Sequence, residues 1–527
     1  MGIRTIIPGP PGTGKTFRLV NHYLEKEINE YKTDPQKIIY ITYSNAGVNE
    51  AAKRIKHDLL YVSTMHSLGT RELFGKGKTS KILLKGKRKW QIFKDDPNHQ
   101  AYQNMSFETT VDTAGNPKYE NNHMRIIQYA RSKKIDLEQA AFELSLEHEE
   151  IDFTHQLNQD LKTFKEHTKM IEFHDMIELF EKKDKMNNPG SLISEIEAVF
   201  LDEAQDLSPS QFDMFFYIEK NCKRSYIAGD DDQTIYTFQG ADPNIFINLE
   251  KENLPKGWKA KPDNQIESHR VPKKIHAKAL EVLSQIENRL DKSWDARKAE
   301  GELFEHYHLD NIDFTEGNWM VLAQTNKLLD EIGSHFFRIG MRFERKGNKI
   351  LTNDVLQSYR TWILLQKGEP VKEEDAKTLY ETFLRYKDGH VAYGFSSGES
   401  LEGIEHVNLN KLKKDHGLLA SGSWEQFKID EDTKNYIKTL LKKGDDLMSN
   451  TKIELSTIHG SKGRECDNVV LFTDYGTESQ WLPFREAERN PDAQHRLIFV
   501  GITRAKQRLY IMAPLTDRYY TIGEPIL

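Results

Sequence analysis

The octet Gly9-Pro10-Pro11-Gly12-Thr13-Gly14-Lys15-Thr16 is a complete G-x-x-x-x-G-K-T loop. It follows an apolar run, 3–7, that reads as a short buried strand. It precedes a stretch, 17–28, with helical periodicity. That strand–loop–helix setting is what gives the motif meaning. Glycines let backbone N–H groups turn inward around phosphates. Lys15 is placed to reach the β- and γ-phosphates, and the Thr16 hydroxyl to hold Mg²⁺. A chain built around this loop is expected to bind a nucleoside triphosphate, ATP in the first instance.

A parallel sheet is the framework such a loop needs, and the sequence supplies one. Strand-like runs at 38–42, 198–202 and 225–229 alternate with helical stretches, the rhythm of βαβ units. A second set follows at 319–323, 452–456, 468–473 and 509–513. The 527 residues exceed what one core can hold. The expectation is an α/β chain with two parallel-sheet cores, each carrying a mainly helical insertion. The first core spans 1–74 and 166–255, with 75–165 inserted. The second spans 256–351 and 451–527, with 352–450 inserted.

Composition narrows the class. A 37% hydrophobic and 29% charged chain is an ordinary globular one. No apolar run approaches the about 18 residues of a membrane span. Two cysteines, Cys222 and Cys466, exclude a disulfide framework and a cysteine zinc site. The chain enters its first strand at once, so no leader is expected, and a reducing cytoplasm is the expected compartment. With 74 Lys+Arg against 81 Asp+Glu, the net charge of −7 argues against a uniform nucleic-acid coat. It leaves room for a local basic groove. Lys76, Lys78, Lys81, Lys85, Lys87, Arg88 and Lys89 form one acid-free basic patch, which reads either as a solvated loop or as a phosphate-contacting surface.

The 198–202 run ends in Asp202-Glu203-Ala204-Gln205-Asp206. Acids at the C-terminal end of a parallel strand face the ligand crevice of the sheet. Asp202 is expected to complete the Mg²⁺ shell, and Glu203 to orient and deprotonate the attacking water. The next strand runs into Gly229-Asp230-Asp231-Asp232-Gln233-Thr234-Ile235-Tyr236-Thr237-Phe238-Gln239-Gly240-Ala241. Gln233 there is placed to reach a γ-phosphate. Tyr236 and Phe238 make a candidate base-stacking platform, worth about 1–3 kcal/mol per base.

Further segments carry a resemblance. They are Thr42-Tyr43-Ser44-Asn45, Val62-Ser63-Thr64-Met65-His66-Ser67-Leu68, and Glu172-Phe173-His174-Asp175-Met176. Later come Ile266-Glu267-Ser268-His269-Arg270, then Leu455-Ser456-Thr457-Ile458-His459-Gly460-Ser461-Lys462-Gly463-Arg464-Glu465, and Phe499-Val500-Gly501-Ile502-Thr503-Arg504-Ala505. In order and spacing the chain resembles a superfamily 1 DNA helicase of the UvrD/Rep/PcrA type, in a compact form that suits a phage or mobile-element member. The resemblance implies two RecA-like cores and an ATP-driven motor on single-stranded DNA, moving 3′→5′ and unwinding duplex at single-strand/duplex junctions. It implies arginine fingers at Arg270 and Arg504, which reach the γ-phosphate only when the cores close; such a finger is worth roughly 10³–10⁵ in rate. Glu465 falls at the nucleotide edge. Tyr43, Asn45, His66, Tyr236, Phe238 and His459 match strand contacts. A monomer is expected, without membrane contact and with room for a protein loading partner.

Three departures from the family pattern qualify the expectation. The chain starts too late for the adenine-reading segment that precedes the phosphate loop in the family, so triphosphate selectivity is open. The tyrosine before the first arginine finger is His269. The Trp-Arg pair of the platform is Phe238-Gln239, which should weaken stacking and remove a contact. The short second insertion raises an alternative: a single-strand translocase that strips protein–DNA complexes without processive unwinding. A helicase–nuclease reading would need a further domain after Arg504.

Overall fold

A computed structural model of the chain describes residues 2–74, 87–107, 109–111, 117–119, 121–146, 149–185, 195–345, 351–395, 398–427, 429–476 and 487–523. By compactness these fall into two units. One comprises Met1–Asn311, Leu322–Thr325 and Thr457–Leu527; the other comprises Ile312–Val321 and Asn326–Ser456.

The first unit is organised by a six-stranded sheet in the order Tyr61–Ser63, Ile38–Thr42, Ala198–Asp202, Arg224–Gly229, Ile3–Pro8, Lys259–Pro262. Every pairing is parallel. The sheet therefore extends past residue 255, to an edge strand that continues from the first core. Its central strands are apolar on both faces, because helices cover each side. Ile39, Ile41, Val199, Leu201 and Ile227 pack on one face. Their neighbours Ile38, Tyr40, Ala198, Phe200, Tyr226 and Ala228 pack on the other. This is the period-two alternation of a pleated strand. Fully burying one such large side chain stabilises by about 1.5–3 kcal/mol.

A charged pair lies inside this core. Arg4 is fully buried and donates to Glu219 at 2.8 and 2.5 Å. It also donates to the carbonyls of Leu249, Glu252 and Asn253 at 2.8, 3.0 and 2.7 Å. A buried guanidinium is tolerable only with its donors met. Here they tie the 219 helix end and the 249–253 loop to the first strand.

A second parallel array lies in the same unit. Glu302–Tyr307 and Cys466–Leu471 flank Ala505–Met512 on either side. The amides of Ile458 and Phe472 donate to Ala323 and Leu322 at 2.9 Å, bringing the end of the Trp319–Ala323 strand alongside. The two parallel-sheet cores expected of an α/β chain are thus present. The first insertion is mostly helical, with helices Asn122–Lys133, Leu137–Glu143 and Ile151–Thr168 around Trp90, Phe93 and Phe164. It also holds a short hairpin, Thr109–Val111 with Pro117–Tyr119.

In the second unit, helices Asn353–Gln366, Glu373–Thr382 and Glu431–Lys442 pack on their own apolar core around Trp362, Tyr380 and Phe427. Strand pairing beside it is short: Val371–Lys372 against His406–Val407, and Glu344 and Arg345 opposite Glu454 and Leu455.

Candidate active site

The phosphate loop joins the end of the Ile3–Pro8 strand to a helix that begins at Lys15. Gly12 and Gly14 adopt φ of 77° and 82°, the left-handed region that glycine enters without strain. Gly12 also needs its bare Cα for space. A Cβ there would stand 2.5 Å from the Arg270 Cβ and 2.8 Å from the Ser268 Oγ. The Glu267–Pro272 strand lies directly on the loop: the His269 amide donates to Gly12 O at 2.9 Å and the Ser268 hydroxyl to Pro11 O at 2.7 Å. The Thr13 hydroxyl donates to Pro10 O at 2.8 Å, and the Lys15 ammonium folds over the loop to Gly9 O at 2.5 Å.

Strand register brings the acids to this loop. Asp202 ends its strand opposite Thr42. Its Oδ2 accepts the Thr16 hydroxyl at 2.7 Å and the Tyr40 hydroxyl at 2.9 Å, and its Oδ1 accepts the Glu203 amide at 3.0 Å. Burial and the neighbouring Glu203 push the Asp202 carboxyl up to about 6. Glu203 sits at φ 55°, an uncommon conformation for a non-glycine residue, and accepts from Gln205 Nε2 at 2.6 Å. Burial works against its charge too, but Lys462, Lys15 and the Gln205 bond outweigh it and hold its pKa below the usual carboxylate range. The two adjacent acids are thereby set apart, as paired acid–base groups require. Thr16 and Asp202 bring hard oxygen donors together, a donor set that fits Mg²⁺.

Around Gln233 the cations converge. Arg504, buried, donates to Gln233 Oε1 at 3.0 Å, to Val500 O at 2.9 Å and to Arg464 O at 3.1 Å. Burial and the nearby Arg270 lower its pKa to about 9, which leaves it a cation at neutral pH. Arg270 pairs with Glu465 at 2.6 Å. Burial disfavours charge on Glu465, yet Arg270 more than compensates and keeps its pKa low. Lys462 donates to both oxygens of Asp206, at 2.6 and 2.5 Å, and to Gln233 O at 2.7 Å. Burial pushes the Asp206 carboxyl up to about 7, with Lys462 acting against it.

The three aspartates before Gln233 look at first like a metal cage, since their oxygens lie within 4.8 Å of one another. Lys292 occupies that role. Its ammonium reaches Asp230 and Asp232 at 2.9 Å and also bonds Asp231. Arg289 forks onto Asp232 at 2.9 and 2.8 Å. The Leu290 amide caps Asp231 at 2.8 Å, and Arg496 grips its carbonyl at 2.9 Å.

Three residues beyond Gln233 an aromatic face begins. Tyr236 is buried, with Tyr43 at 5.1 Å between ring centroids, His459 at 6.0 Å and Phe238 at 6.2 Å. Phe238 meets His459 edge-on at 5.1 Å and is 40% exposed. Gln239 accepts the Tyr43 hydroxyl at 3.0 Å. Asn45 opens the Asn45–Arg54 helix behind Ser44, whose hydroxyl caps it. His66 stands apart, edge-on to Phe173 at 6.0 Å, and burial pushes its pKa down to about 4, so it is neutral.

The structure therefore gathers Lys15, Thr16, Asp202, Glu203, Gln233, Arg270, Glu465 and Arg504 around the phosphate loop, and Tyr43, Tyr236, Phe238 and His459 on one aromatic face. It adds residues the sequence reading passed over: Tyr40, Asp206, Arg289, Lys292 and Lys462. Of the basic patch, Lys76, Lys78, Lys81 and Lys85 lie outside the described residues; Lys87, Arg88 and Lys89 open the Lys87–Lys94 helix.

Fold and site together define a P-loop nucleoside triphosphatase with two RecA-like sheets. Comparison with protein families carries this to a particular group. The model of the UvrD/REP helicase N-terminal domain matches residues 2–253, and that of the UvrD-like helicase C-terminal domain matches 401–515. The chain belongs to the UvrD/Rep/PcrA-type helicases and is an ATP-hydrolysing enzyme of that family. It is similar to a probable DNA helicase II homolog of Mycoplasma genitalium, 22% identical over 98% of this chain and 83% of the relative. It is also similar to a putative ATP-dependent DNA helicase, YjcD, of Bacillus subtilis, 20% identical over 96% of this chain and 76% of the relative. PcrA of the same bacterium, an ATP-dependent DNA helicase, is 23% identical over 59% of this chain and 41% of its own length.

Proposed function

We propose that the chain is a 3′→5′ motor on single-stranded DNA that separates duplex at a junction, using one Mg²⁺·ATP per step. The observation that carries this reading is the segment 229–241. Gln233 meets Arg504 at one end of it, and Tyr236 and Phe238 meet His459 at the other. A γ-phosphate sensor and a stacking face three residues apart on one short backbone move together. A change at the phosphates is felt at the strand without a long relay.

In this reading Lys15 and the loop amides hold the phosphates, and Arg270 and Arg504 meet charge developing at the γ-phosphate. Glu203, kept ionised by the cations around it, takes the proton from the attacking water. Thr16 and Asp202 would hold Mg²⁺, which would neutralise phosphate charge. By the resemblance Tyr43, Asn45, His66, Tyr236, Phe238 and His459 belong to the strand path; Phe238 is the exposed ring among them, and stacking on it is tolerant of base identity. We place the enzyme in the cytoplasm as a monomer, with the two insertions as separate subdomains on the cores. No helix among the described residues is long and apolar enough to cross a membrane.

A forked duplex with a fluorescent strand, run beside displacement of streptavidin from a biotinylated single strand, tests the reading. ATP-dependent opening of a fork with a 3′ tail and not a 5′ tail is the expected result. Displacement of streptavidin without fork opening would reassign the chain as a translocase that strips protein from DNA.

A further inference from the structure

Tyr40 sits in the middle of the Ile38–Thr42 strand, fully buried, in a run of otherwise apolar residues. Its ring lies nearly parallel to that of Phe200, at 6.1 Å and 13°. Packing accounts for the ring, and phenylalanine would pack as well. The hydroxyl needs a separate reason, because a polar group taken into a core costs free energy unless it is bonded. Its partner is Asp202 Oδ2, at 2.9 Å.

Register explains why the reach is possible. Tyr40 lies opposite Phe200, and Thr42 opposite Asp202. Residues 40 and 42 share a face, as do 200 and 202. A tyrosine two positions below the carboxylate on that face lies along the strand and meets it from beneath. Thr16 meets the same oxygen from the helix side at 2.7 Å, and the Glu203 amide holds the other oxygen at 3.0 Å. Three donors from three segments thus fix both the position and the rotation of one carboxylate.

We infer that Tyr40 is a positioning residue for the metal: its hydroxyl fixes the Asp202 carboxylate in the orientation that completes the Mg²⁺ shell. The inference rests on the reading of Asp202 as a metal-holding residue. A hydroxyl oxygen can donate its hydrogen to a carboxylate while a lone pair faces a cation, so the Thr16–Asp202 bond is compatible with metal binding. Tyr40 is fully buried, and its hydroxyl acts through its bond to Asp202. Outer-shell partners of this kind are typically worth 10–100-fold in metal affinity.

The test is an electron paramagnetic resonance titration of Mn²⁺ onto the full chain saturated with ADP, comparing wild type with Y40F, D202N and T16A. Y40F keeps the ring and its packing and removes only the hydroxyl. Y40F is expected to weaken Mn²⁺ binding about 10–100-fold. Metal-free affinity for a fluorescent ADP analogue should stay within twofold. In the D202N background the same change should cost nothing further. Y40L, which lacks both ring and hydroxyl, should weaken Mn²⁺ binding at least as much and carries the test if Y40F folds poorly. If D202N weakens Mn²⁺ binding and Y40F does not, Tyr40 is only a packing residue and the inference falls. If D202N itself leaves Mn²⁺ binding unchanged, the metal reading of Asp202 falls with it.

Discussion

Replacing Lys462 with methionine should separate the two tasks this side chain performs. Its ammonium bonds both oxygens of the buried Asp206 and the carbonyl of Gln233, and lies 5.2 Å over the ring of Tyr236. Methionine nearly matches its volume, so the cavity term is small and the loss is electrostatic. Removing one member of a buried pair costs about 3–5 kcal/mol where the partner stays charged. Asp206, already raised to about 7 with Lys462 in place, takes up a proton at neutral pH once the cation is gone, so that figure is the upper bound of the loss. In a unit of this size, at about 2 cal/mol/K of unfolding entropy per residue, that corresponds to a fall in thermal midpoint of at most about 4–6 °C. The second task concerns Glu203. Against the burial that raises its pKa, Lys462 is the strongest of the influences keeping it low. Without Lys462 the carboxyl titrates higher. A general base works only when deprotonated, so the acid limb of the kcat–pH profile should move to higher pH.

The double variant K462M/D206N tells the two apart. It removes both charges and should recover most of the lost stability, since neutral replacement of a buried pair is often without penalty. It should not restore the acid limb, because the cation near Glu203 is still missing. Scanning calorimetry and steady-state ATPase from pH 5 to 9 on the three proteins decide the matter. An acid limb that stays put in K462M would refute the electrostatic account of Glu203. A midpoint unchanged in K462M would refute the pairing with Asp206.

The remaining expectations are simpler. K15A and E203Q should each abolish hydrolysis, with E203Q still binding nucleotide; wild-type turnover in E203Q would remove Glu203 as the base. F238A should weaken DNA-stimulated ATPase by about the 1–3 kcal/mol of one stacked base and leave basal ATPase nearly unchanged. An equal fall in both rates would make Phe238 a structural residue.

What could be read from sequence was what short-range spacing encodes. The phosphate loop, the Asp202-Glu203 pair and the central strands each announce themselves within a few residues. Partnerships across the chain do not. Lys462 lies inside a motif whose His459 and Glu465 drew the attention, and its partner Asp206 is 256 residues away. Tyr40 sits in an apolar run and reads as core; only the register with 198–202 shows what its hydroxyl meets. Lys292 and Arg289 occupy a polar loop that looks like ordinary solvated surface until Asp230–Asp232 are brought to it. Strand ends slipped for a related reason. The last strand begins at Ala505, not 509, because Lys506, Gln507 and Arg508 break the apolar run while the backbone keeps pairing. Arg508 reaches Asn468 at 2.8 Å across that pairing.

The strand that lies on the phosphate loop makes the nucleotide pocket a seam between distant parts of the chain. Its stitch is a main-chain bond, His269 N–H to Gly12 O at 2.9 Å, beside a side chain that is exposed to solvent. An amide in such a bond trades its proton for deuterium only when the seam parts. The His269 amide is thus a reporter built into the backbone. Its exchange rate reports the opening equilibrium of the pocket, in any nucleotide state and with no label attached.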